Sequence, residues 1–270
     1  MKEKVYQAII GLLFALCLVE AIIIGIQRKQ IANPISAVRK PTKFDLRAKK
    51  LYKGKIAIVI DDAGYTFNNL QILEGFNYPL TFSILPEAPY SRQIAEQLHR
   101  MNFQLILHLP LEPYDEKHLE PNTITTTLDE TSIRFIINSQ IKNIPHIRGV
   151  SNHMGSKATE DYKTMEIVLD EIRKRKLFFI DSLVTPNSVC EQIAQKKKIP
   201  YARRDIFLDN ILDSANIQKQ LEILAEKAQQ NGFAIGIGHD RKVTLMALKE
   251  EIPRLAKKGY RFVFVSELVH

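Results

Sequence analysis

Two adjacent carboxylates, Asp61 and Asp62, close an unbroken apolar run in the stretch KIAIVIDDAGY. Other groups capable of chemistry fall at the C-terminal ends of later apolar runs: His108, Asn152 with His153, Asp181 with Ser182, Arg203 with Asp205, His239 with Asp240, and Ser266 with Glu267. Mixed carboxylate and imidazole ligands with room for water hold catalytic zinc and similar divalent cations, and such a cation brings the pKa of its water to about 7. One carboxylate of an adjacent pair can then bind the metal while its neighbour takes a proton from the attacking water. Successive strand residues point to opposite sides, so both carboxylates serve one point only if the strand ends at the pair. Ala63 and Gly64 are expected to supply that ending.

Each group also has a plainer reading. An Asp pair before a small residue suits a helix cap or a solvated turn. A single His after an apolar run, such as His108, is commonly a satisfied core residue, and Pro110 excludes a helix around it. His153 is a better ligand candidate, bracketed by Gly149 and Gly155 with the amide of Asn152 beside it. His239 ends its run with no bulky neighbour on its N-terminal side. His99, His118, His146 and His270 stand in helical, loop or terminal contexts and are expected at the surface, and Cys190 is expected to pack within a helix.

The elements that must position these groups alternate. Eight short apolar runs lie between segments of helical spacing, among them residues 159–174 with Thr159 as the cap, 213–230 closing on Gly232, and 243–258 closing on Gly259. Such alternation predicts a parallel sheet, either open and doubly wound or closed into a barrel. In either arrangement the C-terminal ends of the strands share one face. A phosphate-cradling loop is not expected, because the glycine cluster GIGHD has the wrong length and no following Lys-Ser/Thr.

At 270 residues, 45% of them hydrophobic, the chain is long enough for one substantial core. Its net charge of +8 comes without Trp or an aromatic-rich basic motif, so a solvated basic surface is expected rather than a nucleic-acid partner. Residues 6–26 are apolar apart from Gln7 and Glu20 and long enough to cross a bilayer. No convincing cleavage site follows, and Leu16 is too bulky before Cys17 for a lipoprotein signal. The expected organisation is therefore an uncleaved membrane anchor at 1–27, a basic linker with Pro34 and Pro41 at 28–53, and one domain at 54–270. Flanking charges do not set the orientation of the anchor. With Cys17 inside the membrane segment and Cys190 alone in the domain, no internal disulfide is expected there.

The stretches VIDDAG, HLPLEP, SNHMGS, FIDS and GIGHD, in this order and at these intervals, resemble the divergent polysaccharide deacetylase family across residues 55–268. The resemblance implies a distorted (β/α) barrel of seven to eight parallel strands that binds a divalent metal, expected to be zinc, and hydrolyses N-acetyl groups on a polysaccharide. It implies Asp61 as base, Asp62 as metal ligand and His239 as general acid. Typical members of the wider superfamily carry two histidines four positions apart, whereas here Glu112 follows His108 at that interval. The metal ligands are therefore expected to be Asp62, His108 and, from the next strand, His153. Substrate contacts are expected from Asn152, Ser156, Glu112, Asp181, Arg203 and Asp205, with Asn152 or a backbone amide near Gly155 facing an oxyanion.

The function so implied is deacetylation of amino sugars in peptidoglycan or another glycan. It is expected of a single-pass inner-membrane protein with a periplasmic domain, whose partners are the glycan, the membrane and an envelope protein. Two alternatives stand beside it: a non-catalytic envelope protein that binds glycan or a partner on the same fold, and another metal-dependent hydrolysis such as that of a phosphate ester.

Overall fold

A computed structural model describes residues 52–115 and 119–270. The expected anchor, nearly all of the linker and His118 lie outside the described residues. Among the described residues no helix is long and apolar enough to cross a membrane.

The apolar runs form β1 (Gly54–Ala63), β2 (Thr81–Ile84), β3 (Gln104–Leu111), β4 (Ile147–Met154), β5 (Phe178–Asp181), β6 (Tyr201–Arg203), β7 (Ile206–Phe207), β8 (Phe233–His239) and β9 (Tyr260–Val263). The longer helices are α1 (Ser91–Arg100), α2 (Glu130–Asn143), α3 (Tyr162–Lys174), α4 (Cys190–Lys197), α5 (Ser214–Asn231) and α6 (Lys242–Lys257). Every strand pairing is parallel, and the strand order is β6-β5-β4-β3-β2-β1-β8-β7, with β9 added beside β1.

The two ends of that order, β6 and β7, are pieces of one apolar run separated by Arg204 and Asp205. The Arg204 N–H donates to the Asp181 carbonyl of β5 at 3.0 Å, and the next N–H, of Asp205, donates to the Ile235 carbonyl of β8 at 2.9 Å. Consecutive residues thus bond to opposite ends of the sheet, which brings the curled sheet round on itself. β9 pairs only with Gly54–Ala57, the first four residues of β1, whereas β2 pairs with β1 from Val59 onward. This register corrects one expectation: Ser266 lies beside Gln104, accepting its Nε2–H at 2.7 Å, at the start of β3 rather than among the C-terminal strand ends.

Side chains of alternating parity along the strands fill two separate cores. Ile56, Ile58 and Ile60 of β1 join the larger cluster packed under the helices, with Leu105, Leu107 and Val150 of β3 and β4. Ala57 and Val59 belong to a smaller cluster with Ile106, Ile180, Ala202, Ile235, Ile237 and Val263, which fills the inside of the curl. Each fully buried Ile or Val contributes about 1.5–3 kcal/mol relative to exposure, so the period-two pattern strongly fixes which side chains point inward. By that parity Ser83, His108, Ser151, His153, Asp61 and His239 face the interior, while Asn152 and Asp181 share the outward parity of Val150 and Phe179.

Helix starts differ from expectation at one point. Asp161 caps α3, accepting the Thr164 N–H at 2.7 Å, and Thr159 instead donates its hydroxyl to the Gly155 carbonyl. The expected closures on Gly232 and Gly259 coincide with left-handed glycines at φ 86° and 97°.

Candidate metal centre

β1 does not end at its carboxylate pair. The ladder with β2 slips between Ile60 and Ala63, and Asp62 takes a left-handed conformation with φ 62°. This bulge, rather than a strand end, turns Asp62 towards the side that Asp61 already faces. Left-handed backbone costs roughly 1–2 kcal/mol for an ordinary residue and is tolerated best by Asn, Asp and Gly.

The consequence is a tight cluster. Asp62 Oδ1 lies 3.2 Å from His108 Nε2 and 3.1 Å from His153 Nδ1, and the ligand atoms of all three residues fall within 4.8 Å of one another. The two imidazoles meet edge to face with centroids 4.9 Å apart. A tetrahedral cation at about 2.0–2.1 Å from each ligand sets neighbouring donors about 3.3 Å apart, close to both distances from Asp62. Among the described residues, His153 Nε2 and Asp61 Oδ1 are buried without a hydrogen-bond partner, and buried polar atoms of this kind call for a partner molecule. The donor set fits a divalent cation held by Asp62, His108 and His153.

The electrostatics separate the two carboxylates. Burial pushes the Asp61 carboxyl up, and neighbouring Asp62 adds to this against the opposing pull of His108. Burial acts on Asp62 in the same sense, but hydrogen bonds from His108 and His153 hold its carboxyl well below the usual range. His108 is buried too, which favours its neutral form, yet Asp61 and Asp62 together raise its pKa.

His239, at the end of β8, is held by a residue that the sequence reading did not single out. Its Nδ1–H donates to Asp209 Oδ1 at 2.8 Å, and Asp209 Oδ2 accepts the His239 backbone N–H at 2.9 Å and the Thr244 hydroxyl at 2.7 Å. Asp209 is completely buried. Burial opposes protonation of His239, but the bond from Asp209 wins and raises its pKa, and the same bond lowers that of Asp209 against its own burial. The Phe207 ring lies nearly parallel to His239 at 6.2 Å, and the Arg204 guanidinium sits 3.6 Å over Phe207 while donating to the Ser182 and Leu183 carbonyls.

The other expected site residues are engaged elsewhere. Glu112 is buried, and its carboxylate accepts Lys157 Nζ at 2.7 Å, the Thr126 N–H at 2.6 Å and the Thr126 hydroxyl at 2.8 Å. Asn152 bridges loops by accepting the Ser182 N–H and donating to the Met154 carbonyl. Ser156 accepts the Tyr114 N–H. Asp181, on the outward parity of β5, accepts from Ser188, Tyr201 and the Leu183 N–H. Arg203 is exposed and pairs with Glu191, and Asp205 accepts the Ile235 N–H. Among the described residues none of these six hydrogen-bonds to Asp62, His108 or His153. Asp209 was findable, since it ends the apolar pair Phe207-Leu208 with the inward parity of Phe207; nothing in the sequence distinguishes Arg204 from Arg203.

The fold and site define a parallel α/β protein with a carboxylate–imidazole cluster at the C-terminal ends of its strands. The chain belongs to the divergent polysaccharide deacetylase family, whose model matches residues 58–269. It is 32% identical over 202 residues to the uncharacterized protein YibQ of Escherichia coli (strain K12), an alignment that covers 75% of this chain and 63% of that relative. The chain thus matches less than two thirds of that protein's length. An uncharacterized protein of Haemophilus influenzae is 29% identical over 203 residues, covering 75% of this chain and 72% of its own. Among solved structures, an uncharacterized protein of Agrobacterium tumefaciens C58 shares the fold with a TM-score of 0.76 at 23% identity, over 89% of this chain and 94% of that one.

Proposed function

We propose that this protein is a metal-dependent hydrolase of the cell envelope that removes acetyl groups from N-acetylated amino sugars of peptidoglycan or another glycan. The observation that carries this reading is the Asp62–His108–His153 cluster, with Asp62 Oδ1 3.2 and 3.1 Å from the two imidazole nitrogens, beside a buried Asp61. These three residues would hold the cation, and an oxygen–nitrogen ligand set of this size suits zinc. When bound, such a cation lowers the pKa of water and polarises a carbonyl. Asp61, its pKa raised by burial, accepts the proton of the attacking water. His239, kept protonated by Asp209, gives a proton to the amine nitrogen as the amide C–N bond breaks, so that acetate and a free amino sugar leave. Asp209 fixes the tautomer in which His239 Nε2 faces the reaction.

We also propose a single-pass protein of the inner membrane with its domain on the periplasmic side. The apolar segment 6–26 supports the membrane anchor, and a glycan of the envelope as substrate supports the periplasmic side.

Acetate release tests the reaction. The full chain in detergent, loaded with zinc, should release acetate from N-acetylglucosamine oligomers or peptidoglycan, and Asp61→Asn should lose about 10²–10⁴-fold in rate while remaining folded. No acetate from any N-acetylated glycan, together with glycan binding that survives His153→Ala, would instead assign the domain to binding without catalysis.

A further inference from the structure

Two serines stand inside the curl of the sheet, beside the apolar part of its lining. Ser83 of β2 and Ser151 of β4 are both completely buried, among inward-facing neighbours such as Val59, Ile106 and Ile180. A buried hydroxyl in such surroundings is costly unless it is hydrogen-bonded, and alanine would fill the same space without that requirement. Their oxygens lie 2.6 Å apart, and Ser151 Oγ is 2.8 Å from His108 Nδ1, the residue it faces in the β3–β4 ladder. The three groups therefore form one line from Ser83 through Ser151 to His108 Nδ1.

That line has a direction. Each hydroxyl has one hydrogen to give, and an imidazole nitrogen that takes a cation carries none. With Nε2 turned to the Asp62 cluster, the imidazole hydrogen stands on Nδ1, the Ser151 oxygen accepts it, and the Ser151 hydrogen goes to the Ser83 oxygen. The opposite polarity would move the imidazole hydrogen to Nε2 and take that nitrogen away from the cation. We propose that Ser83 and Ser151 are positioning residues that keep the hydrogen of His108 on Nδ1, so that Nε2, 3.2 Å from Asp62 Oδ1, is the nitrogen offered to the cation. This inference rests on the Asp62–His108–His153 site and not on deacetylation.

Zinc affinity of the full chain, measured by competition with a chromophoric chelator, should fall 10–100-fold in Ser151→Ala, the usual scale for removing the partner of a ligating histidine. Ser83→Ala should cost less, and the double variant no more than Ser151→Ala alone, because the serines act in one line. Thermal melting of each variant separates this from loss of fold. Nitrogen-15 correlation spectra of the wild-type imidazoles give a second readout that needs no variant and no catalysis: His108 Nδ1 should carry hydrogen both with and without zinc. Wild-type zinc affinity in folded Ser151→Ala, or an unprotonated His108 Nδ1 in the zinc-loaded wild type, overturns the proposal. A wild type that binds no zinc overturns it together with the site, whereas zinc binding and the predicted tautomer without acetate release would sink only the deacetylase reading.

Discussion

Two pairs of histidines stand at opposite ends of the strands, each with a carboxylate beside it. At the C-terminal ends, His108 and His153 are largely buried, meet edge to face, and aim one nitrogen each at the same oxygen of Asp62. At the N-terminal side, His99 near the end of α1 and His146 just before β4 stack face to face at 3.8 Å with an interplanar angle of 6°. Both are exposed, and His146 Nε2 lies 3.1 Å from Glu96, itself half-buried. Residue types are nearly the same in the two places. Stacking leaves the ring nitrogens on the edges, pointing along the faces rather than converging, and a surface ion pair such as His146 with Glu96 contributes about 0–1 kcal/mol. Convergence at the other end comes from strand parity, which turns His108 and His153 inward from adjacent strands, and from the bulge that turns Asp62 to meet them.

The sharpest way to break this comparison is to remove one histidine from each pair. His153→Ala should weaken divalent-cation binding by more than about 100-fold, beyond the 10–100-fold typical of losing a ligand's supporting partner. His146→Ala should leave the affinity unchanged, and a calorimetric titration of both variants checks the pair of outcomes.

A smaller effect is expected at Asp209. Its bond raises the pKa of His239, so the pair's stabilisation is present below about 6.5, the ordinary histidine value, and is lost as pH rises through the raised folded value. Asp209→Asn should therefore move the alkaline limb of the kcat/KM profile to lower pH and reduce the rate by about 10²-fold, within the range a positioned acid supplies. An unmoved alkaline limb would remove Asp209 from its proposed role.

The smallest expected effect is at the exposed stack itself. His99→Ala should change unfolding free energy by no more than about 0.5 kcal/mol, as for most surface substitutions, in a denaturant titration.

Much of the fold was legible because each apolar run is short, bounded and followed by helical spacing. Parity carried further information than strand position alone: apolar neighbours two residues back place Asp61, His108 and His239 on the inward side, and the same count puts Asp181 outward with Phe179. Three features were not legible from pattern. The bulge at Asp62 is a backbone conformation that neighbouring residue types permit but do not require. The division of residues 201–207 between two partners depends on how the ends of the sheet meet. The low register of β9, which takes Ser266 away from the strand ends, depends on β1 offering one edge to two strands in turn. Arg204 belongs with these, since its place over Phe207 follows from the irregular backbone between β6 and β7.

The central claim is that Asp62, His108 and His153 hold one divalent cation. Metal content of the purified full chain, by mass spectrometry after dialysis against buffer free of metal, tests it most directly. The account predicts close to one divalent ion per chain in the wild type and essentially none in Asp62→Asn. A folded wild type without metal, or Asp62→Asn retaining the wild-type content, would contradict it.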